Sequence, residues 1–135
     1  RGVPVSDVLS PKARELIARP VIASLATLNP DGSPQITPLW IDRDEDNLVI
    51  NTARGRVKAR NLERDPRVAV SIIDPDDPYN VVAVQGTVID VTTEGADAHI
   101  DALAKKYMGV DSYPNRTADE VRVRVTIRPD RVAMG

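Results

Sequence analysis

The chain has 135 residues, 41% of them hydrophobic and 28% charged, with a formal net charge of -2, the composition of one globular domain with room for a real core. It has no Cys and no Phe, one Trp and three Tyr, so disulfides, thiolate catalysis and Cys-bound metals are excluded, and a core of Val, Ile, Leu and Ala leans toward strands. The acidic balance argues against general nucleic-acid binding, and with no apolar run near the length of a membrane span and no visible signal peptide, a cytoplasmic address is expected.

Residues 1–9 read as an arm on a single domain spanning 1–135; the chain begins at Arg1 rather than Met, which leaves room for an upstream piece. Ser10 and Pro11 fit an N-cap followed by Pro at the first helical position, and Ala13, Leu16 and Ile17 form a short apolar stripe that ends before Pro20. VIASLATL (21–28) reads as a strand, NPDG (29–32) as a turn and SPQITPLWIDR (33–43) as the returning strand of a hairpin. Pro34 and Pro38 remove two backbone donors from that strand, so it is an edge, is bulged, or leaves backbone free for a ligand. LVINTA (48–53) is a third strand, 57–64 a short helix stopping before Pro66, and RVAVSIID (67–74) an alternating strand. After the acidic turn 75–78 comes a long strand, 80–93, with Gly86 as a candidate bulge. Ala96, Ile100, Leu103, Ala104 and Tyr107 then share one helical face, with Gly109 as the stop. Residues 120–128 alternate with Val121, Val123, Val125 and Ile127 on one face and Arg122, Arg124 and Arg128 on the other, and 131–134 read as a last short strand. Six or seven consecutive strands with about three helices at the connections make a mainly β (α+β) fold, an antiparallel barrel closed or nearly so.

The chemistry concentrates in NTARGRVKARNLERDP (51–66). This segment holds five basic residues, Arg54, Arg56, Lys58, Arg60 and Arg64, against Glu63 and Asp65, which leaves 13 basic and 18 acidic residues elsewhere. A strand that turns at Gly55 and enters a helix near Val57 offers free backbone N–H groups and the positive end of a helix dipole. Arg56 and Lys58 flank that point, Thr52 can donate a hydroxyl hydrogen bond, and Asn61 lies one turn on. An Arg fork and a Lys point charge suit a phosphate; a solvated helix with surface arginines is the bland alternative. His99, the one histidine, sits mid-helix beside the apolar stripe and reads as structural or solvated, since a His metal site or a Ser-His-Asp triad would need partners that are absent.

The stretch VINTARGRVKARNLERDPRVAV resembles the cofactor-phosphate segment of the pyridoxamine-phosphate-oxidase-like split β-barrel flavoproteins. ATLNPDGSPQITPLW is similar to that family's first hairpin, VVAVQGTV to its long central strand, and ADAHIDALAKKYMGVD followed by SYP to the late helix and loop of one branch. Residues 20–130 are covered. The branch most resembled is the B-type flavin/deazaflavin oxidoreductases, whose members use coenzyme F420, an 8-hydroxy-5-deazaflavin, while some relatives use FMN or haem-breakdown pigments.

The resemblance implies an FMN-binding split barrel that forms a homodimer and transfers a hydride from reduced F420 to a small-molecule acceptor. It places the phosphate on Arg56 and Lys58, with Asn61 as a polar position on the same helix. Pyridoxamine-phosphate oxidases carry an Arg-Lys pair where Val57 and Lys58 stand, and that departure argues against pyridoxal-phosphate synthesis. The ring is expected along Gln35, Ile36, Thr37, Pro38 and Leu39. Arg54 and Arg60 suit the carboxylates of the lactyl-oligoglutamate tail of F420, or are simply solvated. Pro78, Tyr79 and Asn80 are expected to reach the partner's cofactor, Tyr79 equally as interface packing, and Trp40 packs in the core or interface or touches the ring. FMN is the alternative cofactor, and a non-catalytic flavin or tetrapyrrole carrier the alternative function.

Overall fold

The computed structural model describes residues 5–134. Eight strands form one antiparallel sheet: β1 (Val5–Ser6), β2 (Ala23–Leu28), β3 (Pro34–Leu39), β4 (Asp42–Asp44), β5 (Asn47–Ala53), β6 (Arg67–Asp74), β7 (Asp77–Thr92) and β8 (Arg122–Met134). Three helices interrupt them: α1 (Pro11–Ala18), α2 (Val57–Arg64) and α3 (Ala96–Met108). The sheet runs β3-β2-β6-β7-β8-β5-β4, with β1 paired to β8. Its two ends, β3 and β4, are joined in sequence only through Trp40 and Ile41, so the sheet curls back on itself and leaves a seam without a ladder. This is the mainly β split barrel with three helices that the pattern leads one to expect.

Four boundaries differ from expectation. The arm is not free, because Val5 and Ser6 pair with Ala133 and Val132, and Leu9 is buried in the core. The expected strand 33–43 breaks at Trp40 and Ile41 into β3 and β4, where the chain crosses the seam. The expected strands 120–128 and 131–134 are one strand, since β7 and β8 stay paired through irregularities at Gln85/Gly86 and Val88/Asp90. β7 begins at Asp77, so Pro78, Tyr79 and Asn80 lie in a strand after a tight turn. Gly86 is required by close approach: a Cβ there would stand 2.7 Å from Ile127 Cγ2 and 2.9 Å from the Arg128 carbonyl oxygen.

Local signals explain the rest. Ser10 caps α1 by accepting from the Ala13 N–H at 3.1 Å, and Ala13, Leu16 and Ile17 turn fully inward. The core inside the barrel joins these to Leu25, Ile50, Ile72, Val82, Val125 and Ile127. Edge strand β3 pairs only with β2, which accommodates Pro34 and Pro38. The seam's open backbone is satisfied by α3. The Tyr107 hydroxyl accepts from the Ile41 N–H at 3.0 Å and donates to the Val21 carbonyl at 2.6 Å, while Lys106 Nζ donates to the carbonyls of Ile17 and Ile41. Covering an unpaired edge with a helix is one of the ways a sheet avoids pairing with other chains. No helix among the described residues is long and apolar enough to cross a membrane.

Candidate functional site

At the seam, under the N-terminus of α2, lies a cleft of about 430 Å³. Of the residues singled out in the sequence, Pro38, Leu39, Thr52, Arg56 and Lys58 line it. β5 delivers Thr52, Gly55 makes the turn at φ +91°, and Arg56 becomes the N-cap of α2. No side chain caps that helix, so the first-turn N–H groups beyond Arg56 have no side-chain partner. The Lys58 ammonium is half-buried and makes no ion pair. Burial, with the nearby Arg56 and Arg122 cations, holds its pKa below the usual lysine value. Thr52 is 1% exposed and its buried Oγ1 lacks a hydrogen-bond partner. An uncompensated half-buried ammonium, an uncapped helix start and an orphaned hydroxyl on one cleft are what an anion would complete.

Trp40, expected to pack or to touch the ring, also lines the cleft, as do Asn51, Met108, Tyr113, Asn115 and Arg122, which were missed as site residues. Trp40 stacks on Tyr107 at 5.1 Å between ring centroids and meets Tyr113 edge-on at 6.0 Å, so it packs and lines the cleft at once. Arg122 is buried, not on a solvated face, because α3 packs over that side of β8. Its Nε donates to Asn51 Oδ1 at 2.9 Å, its Nη1 donates to Glu120 Oε1 at 2.9 Å, and its guanidinium lies 5.2 Å from the Tyr113 ring centre. Arg56 Nη2 reaches the same Glu120 oxygen at 3.4 Å. Glu120 and Arg122 are two apart near the start of β8, the spacing that puts opposite charges on one side of extended chain; that was the available signal.

Asn51 also fixes His99. Its amide nitrogen donates to the Ala96 carbonyl at 2.9 Å and to His99 Nδ1 at 3.1 Å, while its oxygen is taken by Arg122. An amide nitrogen only donates, so Nδ1 is the bare nitrogen and Nε2 carries the proton. Burial, then the Arg124 cation, lowers the His99 pKa to about 4. The histidine is structural, and no group of side chains able to hold a metal occurs among the described residues.

The remaining expected residues are not brought to the cleft. Asn61 is buried on the other side of α2, its amide nitrogen donating to Thr27 Oγ1 and Asn29 Oδ1 at 3.0 Å each, so it ties the helix to the first hairpin. Gln35 donates to Thr37 within β3 and accepts from Thr27. Ile36 stands on the outer sheet face beside a shallow depression of about 280 Å³ shared with Ala26, Ala69 and Ala83. Arg54, Val57 and Arg60 are exposed around the mouth of α2, and neither arginine makes an ion pair. Pro78 and Tyr79 are exposed, whereas Asn80 is buried and donates to Asp74 Oδ2 at 3.1 Å.

The sequence profile described as pyridoxamine 5'-phosphate oxidase matches residues 9–134. Among solved structures, one described as an F420 reductase is 36% identical, with a TM-score of 0.80 over 89% of this chain and 94% of that one. A conserved hypothetical protein from Mycobacterium tuberculosis shares the fold at 23% identity, with a TM-score of 0.71 over 96% and 86% of the two chains. HupZ of Group A Streptococcus does so at 21% identity, with a TM-score of 0.67 over 93% and 92%. A profile match across nearly the whole chain, on a split barrel with an anion-ready cleft at its seam, places this chain in the pyridoxamine 5'-phosphate oxidase family.

Proposed function

We propose that the protein is an F420-dependent oxidoreductase that reduces a small organic acceptor, with the cofactor phosphate held at the start of α2. The observation that carries the reading is the half-buried, unpaired Lys58 beside Arg56 and Arg122 under an uncapped helix N-terminus. The likeness to an F420 reductase at 36% identity favours the deazaflavin over other phosphorylated cofactors.

A bound reduced deazaflavin supplies a hydride, the reducing equivalent for the acceptor. The chain's own residues position and shield. Lys58 and Arg56 supply the charge, the first-turn N–H groups of α2 are uncapped beside them, and Thr52 offers its hydroxyl. Pro38 and Leu39 with Trp40 give the cleft an apolar wall beyond the cationic end, which suits a planar ring and limits water. Gln35, Ile36 and Thr37 continue along β3 from that wall toward the outer face. No side chain in the cleft is required as a nucleophile, so the protein's contribution is orientation and electrostatics.

Arg54 and Arg60 separate F420 from FMN. Both cofactors carry a ring, a ribityl chain and a phosphate, so Arg56, Lys58 and the helix start serve either one, and only F420 continues past the phosphate into carboxylates. The tail carboxylates of F420 would meet Arg54 and Arg60, two exposed arginines without acidic partners. F420 should therefore bind more tightly than FMN at low salt, with a gap that narrows as salt rises. Each exposed pair is worth about 0.2–1 kcal/mol, so changing both arginines to Ala should remove the salt-sensitive part of the gap and leave FMN binding nearly unchanged. Fluorescence titration with both cofactors checks this, and equal affinities at low salt would favour FMN.

The reading includes a homodimer. The outer face of β3, β2, β6 and β7 exposes Ile36 at 68% and Ile73 at 55%, next to the small side chains of Ala26, Ala69 and Ala83. A flat apolar patch of this kind suits a self-complementary two-fold contact, with Tyr79, 82% exposed, available to the partner. Light scattering at micromolar concentration should report a dimer. A monomer that still binds cofactor would remove Pro78, Tyr79 and Asn80 from the site.

A further inference from the structure

We infer that Glu120 is a specificity-determining positioning residue: its carboxylate, set behind Arg56 and Arg122, biases the anion site against doubly charged phosphomonoesters and toward singly charged phosphodiesters. The inference rests on the phosphate reading above and concerns what kind of phosphate the site prefers.

Glu120 does not line the cleft; it stands behind two cations that do. Its side chain is only 10% exposed, with Oε1 taken by Arg122 at 2.9 Å and Arg56 at 3.4 Å and Oε2 buried without a partner. A buried carboxylate with one oxygen unsatisfied is a costly arrangement. If the site needed only cations, that cost would have no return. One return is structural, since the shared oxygen holds both guanidiniums in place. The other is electrostatic. Against Arg56, Lys58 and Arg122, the carboxylate removes one unit of positive charge from the field a ligand meets.

These two roles act differently on ligand charge. Loss of positioning would let the two guanidiniums drift, and because their attraction also scales with ligand charge, it lowers the affinity of a dianion more than that of a monoanion. The repulsion from the carboxylate scales with the ligand's own charge, so it acts about twice as strongly on a dianion as on a monoanion. A phosphomonoester approaches -2 above its second pKa near 6, while a phosphodiester stays at -1. The two roles therefore move the monoester-to-diester affinity ratio in opposite directions: removing the carboxylate's field raises it, and displacing the cations lowers it.

The test uses the deazariboflavin 5'-phosphate and its methyl ester, which share ring and ribityl chain and lack the carboxylate tail. Both are titrated at pH 8 into the parent protein, the Glu120→Gln variant and the Glu120→Asp variant, with thermal melts to verify folding. In Glu120→Gln the monoester-to-diester affinity ratio should rise about 2- to 30-fold, the span Coulomb's law gives for one unit charge about 8 Å away between water and a protein-surface dielectric. Glu120→Asp, which keeps the charge but shortens the reach to both guanidiniums, should show no such rise. A Gln variant whose ratio stays constant or falls would make Glu120 purely structural and overturn the inference, leaving the phosphate site intact. Failure of the parent to bind either compound would overturn the phosphate reading and this inference with it.

Discussion

Replacing Lys58 by Ala is expected to weaken F420 binding by about 1.5–3 kcal/mol, roughly 10- to 150-fold, the range for hydrogen bonds to a charged group. Arg56→Ala should cost a similar amount. The fold should survive both, because Lys58 has no partner to lose and Arg56 loses one long contact to Glu120. The direction also follows from the Lys58 pKa, held down by burial and by like charges: a bound anion relieves that repulsion, and removing the ammonium forfeits it. Fluorescence titration of F420 with circular dichroism as a folding check reads the outcome. Parental affinity in both variants would mean the cofactor is held elsewhere.

Acidification should destabilise the protein between about pH 6.5 and 4 through His99. Its folded-state pKa is about 4, chiefly because burial disfavours the imidazolium, whereas an unfolded histidine titrates near 6.5. Below pH 6.5 the unfolded chain takes up a proton that the folded one refuses, so stability falls with pH until the folded pKa is passed. The loss is about 2 kcal/mol at pH 5 and on the order of 3 kcal/mol when complete. Asp65 and Asp74 act in a separate window. Hydrogen bonds from Arg67 and Arg19 hold each carboxyl down to about 2, so their contributions are intact above about pH 4 and lost as pH falls toward 2. Urea denaturation of the parent and of His99→Gln at pH 7 and pH 5 isolates the imidazole. The parent should lose about 2 kcal/mol more than the variant over that interval; equal losses would mean His99 is solvated.

What the sequence made legible was local. The N-cap at Ser10, the turn before Gly32, the stripe of α3 and the alternation of β6 are set by neighbouring residues, and each stands where its pattern points. The basic pair at Arg56 and Lys58 was legible for the same reason, as charge density beside a glycine that allows the strand-to-helix turn. What was not legible depends on distant pairing. Arg122 enters the site because β5 and β8 are antiparallel with Ala53 opposite Arg122 and Asn51 opposite Arg124. Once α3 covers that side, an arginine on an amphipathic strand becomes a buried cation held by Glu120 and Asn51. Asn61 shows the converse. Its place one turn along α2 suggested the cofactor, yet its side chain points to Thr27 and Asn29 of the first hairpin. The break at Trp40 was hidden because no Gly, Asn or Asp between Pro38 and Ile41 marks a turn where the chain crosses from one end of the sheet to the other.

The most direct test of the account is a crystal structure of the protein with F420 bound. The account predicts the phosphate within hydrogen-bonding distance of Lys58 Nζ, the Arg56 guanidinium and the first-turn N–H groups of α2, with the ring along β3 beside Pro38 and Leu39. A phosphate found away from α2, with Lys58 still unpaired, would contradict it.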